Sequence, residues 1–243
     1  MESFFNSISE SFTSTFITDD RWLQLLKGLG VTLEITLFSA LLGIILGFLI
    51  ALVRATHDTN VLGKKRKTFG DYILKFFNVL CNIYITVIRG TPVVIQLMIM
   101  YYIILASVRN GIYAAIIAFG INSGAYVAEI VRSGIMSIDK GQIEASRSLG
   151  FNHTQTMTKV VLPQAIKNVL PALGNEMITL LKETSVAGYV ALADVTYVGN
   201  LIRSRTYEAF FPLITVAAIY FVIVLILTFF LKKMERRLRL SDH

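Results

Sequence analysis

Charge is scarce in this chain. Of 243 residues only 16% are charged, 54% are hydrophobic, and the mean hydropathy is +0.64. Soluble domains carry roughly 25% charged residues, so the composition excludes an ordinary water-soluble fold and implies an integral membrane protein, which the long apolar runs described below make all-α. Cysteine occurs once, at Cys81, which allows no disulfide within the chain and no thiolate cluster for a metal. Four prolines and no low-complexity tract leave little room for a linker or a second domain. No G-x-x-x-x-G-K-[ST] phosphate loop occurs, so ATP chemistry is expected to come from another chain. His57, His153 and His243 stand in polar segments without ligand spacing. Nor does a nucleophile–base pair or metal cluster suggest a membrane enzyme. The net charge of +7 would suggest nucleic acid in a soluble protein. Here the basic residues flank hydrophobic spans, where they orient the chain and meet anionic lipid.

Taken in order, residues 1–20 lack Lys and Arg, unlike a secretory signal with a basic n-region. Phe4, Phe5, Ile8, Phe12 and Phe16 recur at helical spacing, which reads as an interfacial helix or as a frayed terminus. Val31 to Val53 is the first expected span, long enough for a bilayer core of about 30 Å. Its Gly43 and Gly47 form a small-xxx-small pair suited to close helix packing. Phe76 to Ile88 is apolar but too short to cross alone, and Arg89-Gly90-Thr91-Pro92 interrupts it. Residues 72–89 are therefore read as interfacial or partly inserted, with the second span over residues 92–107. The third covers residues 112–135, broken in the middle by Asn122-Ser123-Gly124-Ala125-Tyr126. A polar loop at 138–163 follows, then spans at 166–190 and 210–231 and a basic tail.

Charge sets the expected topology. The segment from Arg54 to Lys67 carries five basic residues against one acid, Asp58. Only Arg109 lies between the second and third spans, and only Arg203 and Arg205 between the fourth and fifth. Five spans with the N-terminus outside put the basic segments and the 138–163 loop in the cytoplasm, as the positive-inside rule asks. No internal repeat is found, so the symmetry of a pore is expected to come from a second copy or a homologue.

Polar groups within the spans mark candidate sites. Asn175, Glu176, Thr179, Lys182 and Glu183 fall in steps that place them on one helical face. Glu176 lies roughly 15 Å along the fourth span, near the bilayer midplane. A carboxylate there costs at least ~2.5 kcal/mol unless it meets a partner or water. Either Glu176 or Glu183 meets a cationic substrate group, or one of them pairs with Lys182 to hold the bundle. Arg89-Gly90-Thr91-Pro92 offers backbone N–H groups suited to a carboxylate, or simply turns the chain. Glu129 and Arg132, one turn apart, are expected to form an ion pair.

Between the third and fourth spans, Glu144 to Leu149 is a run of good helix formers with an acid in its first turn. Gly150 reads as its stop, and a second amphipathic run from Thr154 to Leu162 reaches Pro163. Local chemistry thus predicts helix, turn, helix on a membrane surface. Glu144-Ala145-Ser146, three residues, Gly150, nine residues, then Val160-x-Leu162-Pro163 resembles the EAA loop of ABC-importer permeases. Ser146 stands where that family usually has alanine, and Val160 where it has isoleucine. Arg89-Gly90-Thr91-Pro92 with Gln96, Asn122 to Tyr126 with Glu129, Leu162-Pro163-Gln164-Ala165, and Gly174-Asn175-Glu176 with Leu181-Lys182-Glu183-Thr184-Ser185 extend the resemblance over most of the chain. They are similar to the polar amino-acid branch, which includes histidine-, glutamine-, arginine- and cystine-type importers.

That resemblance implies a type I importer permease: five transmembrane helices and a cytoplasmic coupling helix, forming half of a translocation pathway in a bacterial cytoplasmic membrane. Its coupling residues are then Glu144, Ala145, Ser146, Gly150, Leu162 and Pro163. The substrate-site candidates are Thr91, Gln96, Asn175, Glu176, Thr179, Lys182 and Glu183. Implied partners are a dimeric ABC ATPase holding ATP and magnesium, an extracellular or periplasmic amino-acid-binding protein, and a second permease subunit, identical or similar. No cofactor is expected in this chain. The rival reading, an ion-gradient-driven transporter or channel subunit, needs a self-sufficient pathway that five short spans without a repeat do not supply.

Overall fold

The computed structural model describes residues 10–60 and 68–240. Phe4, Phe5 and Ile8, the basic residues 64–67, and His243 lie outside the described residues. Residues 10–16 are helical. They lead to α1 (Arg21–Asn60), α2 (Phe69–Arg89), α3 (Val93–Ile99, continued by a π turn, Met100–Ile104) and α4 (Gly111–Met136). Next come α5 (Lys140–Ser148), α6 (His153–Thr156, continued by a π turn, Met157–Val161), α7 (Leu162–Glu183) and a 3-10 segment, Thr184–Val190. The last two helices are α8 (Val195–Thr206) and α9 (Phe210–Leu240), and no strand occurs among the described residues.

Among the described residues four stretches are long and apolar enough to cross a membrane: Thr18–Thr59, Phe69–Arg89, Gly111–Met136 and Phe210–Leu238. His153–Val190 with Val195–Thr206, bent by 50°, makes a fifth if it is one span. The helix expected to stop short, α2, is therefore of crossing length, while Val93–Ile104 is the shorter apolar helix. The reason is a cap. The Asp71 carboxylate accepts from the Thr68 N–H at 2.7 Å and from the Thr68 hydroxyl at 2.9 Å, so the helix starts at Phe69. That adds two turns ahead of Phe76.

A further expectation is corrected. The third span is not broken at Asn122–Tyr126, because α4 runs through it. Asn122, Ser123 and Ala125 are buried, so the small residues serve packing rather than a break. A Cβ on Gly43 would lie 3.0 Å from that of Ser123, and one on Gly47 only 2.5 Å from Val127. These two glycines let α1 and α4 approach closely. Pro163, which the second amphipathic run reaches, sits inside continuous helical backbone from His153 to Glu183. Pro163 has no N–H to give the carbonyl of Lys159. The chain widens into the π turn, where the Leu162 N–H reaches Met157 O, and the Gln164 amide donates to Val160 O at 3.1 Å.

The helices pack as two compact units. One comprises residues 1–39, 93–119 and 178–230. Its core joins Leu25, Val195, Val198, Ile202 and Val216. There the buried Asp194 caps α8 by accepting from the Thr196 and Tyr197 N–H groups at 3.1 and 2.9 Å. The other comprises residues 40–92, 120–177 and 231–243. Ala51, Ala55, Val127, Val131, Ile135, Val161, Ala165 and Val169 form its core, with Ile143 of α5 packed against it.

Candidate functional site

The 138–163 loop is built as a rigid knob. The Asp139 side chain caps α5 by accepting from the Gly141 N–H at 2.6 Å. At the other end, the Phe151 N–H bonds Ser146 O at 3.2 Å and the Gly150 N–H bonds Arg147 O at 3.0 Å. This is a Schellman closure, and Gly150 takes the required positive φ of 89°. Asn152 and Gln155 then cap α6 reciprocally at 2.8 and 2.9 Å. Ser146, only 5% exposed, donates to Ile143 O at 2.8 Å and lies 3.1 Å from the Thr156 hydroxyl, which ties the two helices together. Glu144, Ala145 and Gly150 are exposed, Leu162 is half-buried and Pro163 is exposed. Beside the knob opens a cleft of about 430 Å³, with Lys140, Glu144, Arg147 and His153 in its wall.

The candidate intramembrane residues do not all fall in one unit. Thr91, Asn175 and Glu176 belong with α2 and the first part of α7, whereas Gln96, Thr179, Lys182 and Glu183 belong to the other unit. Asn175, Thr179 and Lys182 are exposed; Glu176, Glu183 and Gln96 are half-buried. The Asn175 amide donates to Pro171 O at 3.1 Å, the carbonyl of the proline inside α7. At the α2–α3 break the Thr91 hydroxyl donates to Val87 O at 2.9 Å and the Gly90 N–H to Thr86 O at 3.0 Å. Glu176 accepts a hydrogen bond of 2.9 Å from Ser123 of α4.

Glu129 and Arg132 do not pair with each other. Glu129 meets Arg54 of α1 and lies 3.9 Å from Arg89, whose guanidinium sits 5.0 Å above the Tyr126 ring. Arg132 bonds Asp58 of α1 at 2.8 Å. One helical turn puts two side chains on one face but cannot say that a neighbouring helix offers closer partners. Sequence reasoning therefore missed Arg54, Asp58 and Ser123. The spacing of Arg54 and Asp58, four residues apart at a span end, was the available signal.

Helices of crossing length, one of them holding a carboxylate, with a capped polar helix packed on their core, are the architecture of a membrane-spanning subunit. The description of binding-protein-dependent transport system inner membrane components matches residues 69–240. The chain is 40% identical over 221 residues to the arginine transport system permease protein ArtQ of Bacillus subtilis, covering 90% of this chain and 94% of that one. It is 34% identical to the glutamine transport system permease protein GlnP of Escherichia coli K12, covering 89% and 93%. A chain from the crystal structure of an amino acid ABC transporter with histidines superposes with a TM-score of 0.76 and 40% identity, covering 88% of this chain and 94% of that one. The MetNI methionine ABC transporter, inward facing, shares the fold at 22% identity, with a TM-score of 0.74 and coverage of 91% and 99%. The chain belongs to the family of binding-protein-dependent transport system inner membrane components, and is a multi-pass permease subunit of an ABC importer.

Proposed function

We propose that this permease imports a cationic amino acid, forming half of a pathway that alternates between the two membrane faces. The observation that carries the reading is the capped, Schellman-closed helix α5, whose Glu144 and Ala145 are exposed while Ser146 anchors it from beneath. Such a knob passes force to the spans without bending, because Ile143 packs on the core of α1, α4 and α7. It docks on a separate ATPase dimer, which holds ATP and magnesium. Coupling runs through Glu144, Ala145, Ser146, Gly150, Leu162 and Pro163. An extracellular or periplasmic binding protein delivers the substrate, a second permease subunit completes the pathway, and membrane lipid surrounds it. The N-terminus is outside and the C-terminal tail is cytoplasmic. This chain carries no cofactor of its own.

The substrate assignment draws on Glu176 and on the arginine permease relative. Glu176 meets the cationic end of the amino acid, and Thr91 and Asn175 are the candidates of the same unit; Gln96, Thr179, Lys182 and Glu183, in the other unit, are candidates by themselves. The test is ATP-dependent uptake of L-arginine by the assembled complex in vesicles, with the binding protein saturated. Glu144→Lys abolishes uptake while the permease still inserts, because the loop is outside the bilayer. Uptake and stimulated hydrolysis that both survive this change refute the docking role.

A further inference from the structure

Resting on the assignment of Glu176 to the substrate site, we propose that Ser123 is a positioning residue that sets the selectivity for cationic substrates. Serine hydroxyls inside helices usually return to a carbonyl three or four residues back. Others in this chain do so: Ser133 donates to Ile130 O at 2.9 Å and Ser204 to Asn200 O at 2.9 Å. Ser123 does not. Its hydroxyl leaves α4 and donates across to Glu176 Oε1 of α7 at 2.9 Å.

The donor is held firmly. Ser123 is 2% exposed. A Cβ on Gly43 would lie 3.0 Å from the Ser123 Cβ and 3.1 Å from its hydroxyl, so the absent side chain of Gly43 provides the room that Ser123 occupies. Nearby, the Tyr84 hydroxyl donates to Ile121 O, a bond that fixes α4 against α2 two residues before Ser123.

A carboxylate fixed through one oxygen has a defined direction for the other. Glutamate has three rotatable bonds, and an unanchored one near the middle of a span turns towards any donor within reach. Anchoring Oε1 to a buried hydroxyl aims Oε2 in one direction and lowers the ordering cost when an ammonium or guanidinium group arrives. The Ser123 hydroxyl is a neutral donor, so it orients Glu176 without cancelling the charge that attracts the cation. A lysine or arginine at the same place would orient it and neutralise it together.

Ser123→Ala, Glu176→Gln and the double variant, each in the assembled complex with saturating binding protein, test the assignment in vesicles. The readouts are L-arginine uptake, L-glutamine uptake and the yield of complex. With Ser123→Ala, L-arginine uptake falls by about tenfold or more, the range of a hydrogen bond to a charged group. L-glutamine uptake and yield stay within about twofold. In the Glu176→Gln background, Ser123→Ala adds nothing, and Ser123→Thr, which keeps the hydroxyl, restores L-arginine uptake in the Glu176 protein. Equal loss of both amino acids, loss of yield, or effects that multiply in the double variant overturn the positioning role. If Glu176→Gln alone leaves L-arginine uptake unchanged, the substrate-site reading fails and takes this role with it. If Glu176→Gln lowers uptake and Ser123→Ala does not, only the positioning role fails. A wild-type complex that takes up L-glutamine and no L-arginine overturns both.

Discussion

The turn at Gly150 gives the sharpest test of coupling. Its φ of 89° lies where only glycine is at ease, yet a Cβ built there meets nothing within 4 Å. Substitution therefore costs backbone strain and no steric clash. Alanine costs about 1–2 kcal/mol in a left-handed conformation. Asparagine, which tolerates that region, costs less, and a β-branched valine costs more. One or two kcal/mol is roughly a 5- to 30-fold change in a two-state ratio, so Gly150→Ala shifts the turn substantially towards opening. Opening breaks the Phe151–Ser146 and Gly150–Arg147 bonds and lets α5 swing relative to α6. The expected order of coupling is Gly, Asn, Ala, Val, from best to worst. Coupling is the ratio of amino acid imported to ATP hydrolysed, measured on reconstituted complexes of equal subunit stoichiometry. Bilayer insertion and complex yield do not follow that order, because the turn lies outside the spans. A flat series in which Val couples as well as Gly refutes the claim that this turn transmits force.

Three other outcomes follow from packing and charge. Gly47→Val places a Cβ 2.5 Å from Val127 and 2.8 Å from Gly124 O; overpacking of this kind costs about 1–3 kcal/mol and lowers the midpoint of thermal unfolding in detergent, whereas Gly30→Ala, with nothing within 4 Å, does not. Glu129→Gln removes the carboxylate that meets Arg54, and with the two side chains 30% and 13% exposed the loss is about 1–3 kcal/mol, that of a charged hydrogen bond left unmade; Arg54→Gln combined with it recovers part of the loss, and simple additivity of the two in thermal unfolding refutes the pairing. In a protein whose Cys81 is replaced, a cysteine at position 12 reacts with an impermeant thiol reagent from outside and one at position 237 only from the cytoplasm; labelling of position 12 solely from the cytoplasm refutes the proposed orientation.

Much of the membrane architecture was legible because it rests on composition and on local rules. A bilayer demands about 20 apolar residues per crossing helix, so the first, third and fifth hydrophobic runs could be read directly. Gly150 as a helix stop was equally legible, since the left-handed turn it makes is a property of one residue. Gly43 and Gly47 as contact residues followed from their spacing. Resemblance carried the rest: the EAA-like pattern from Glu144 to Pro163 points to the family by sequence alone.

Tertiary structure decided what short windows do not contain. The capping pair Thr68 and Asp71, three residues apart, is by contrast a local signal, and it lengthens the helix before Arg89 by two turns. Whether Asn122 to Tyr126 broke a helix depended on α1 presenting glycines against it, which turned small polar residues into a packing surface. Pro163 stops a helix in isolation, but a π turn and the Gln164 amide carried the backbone past it. The charged groups show the same limit. Sequence placed Glu129, Arg132 and Glu176 in the spans, and periodicity gave each a face. Their partners, Arg54, Asp58 and Ser123, lie 75, 74 and 53 residues away along the chain. Hydrogen bonds and ion pairs act over a few ångströms of space whatever the separation in sequence, so only the packed helices determine which carboxylate meets which donor.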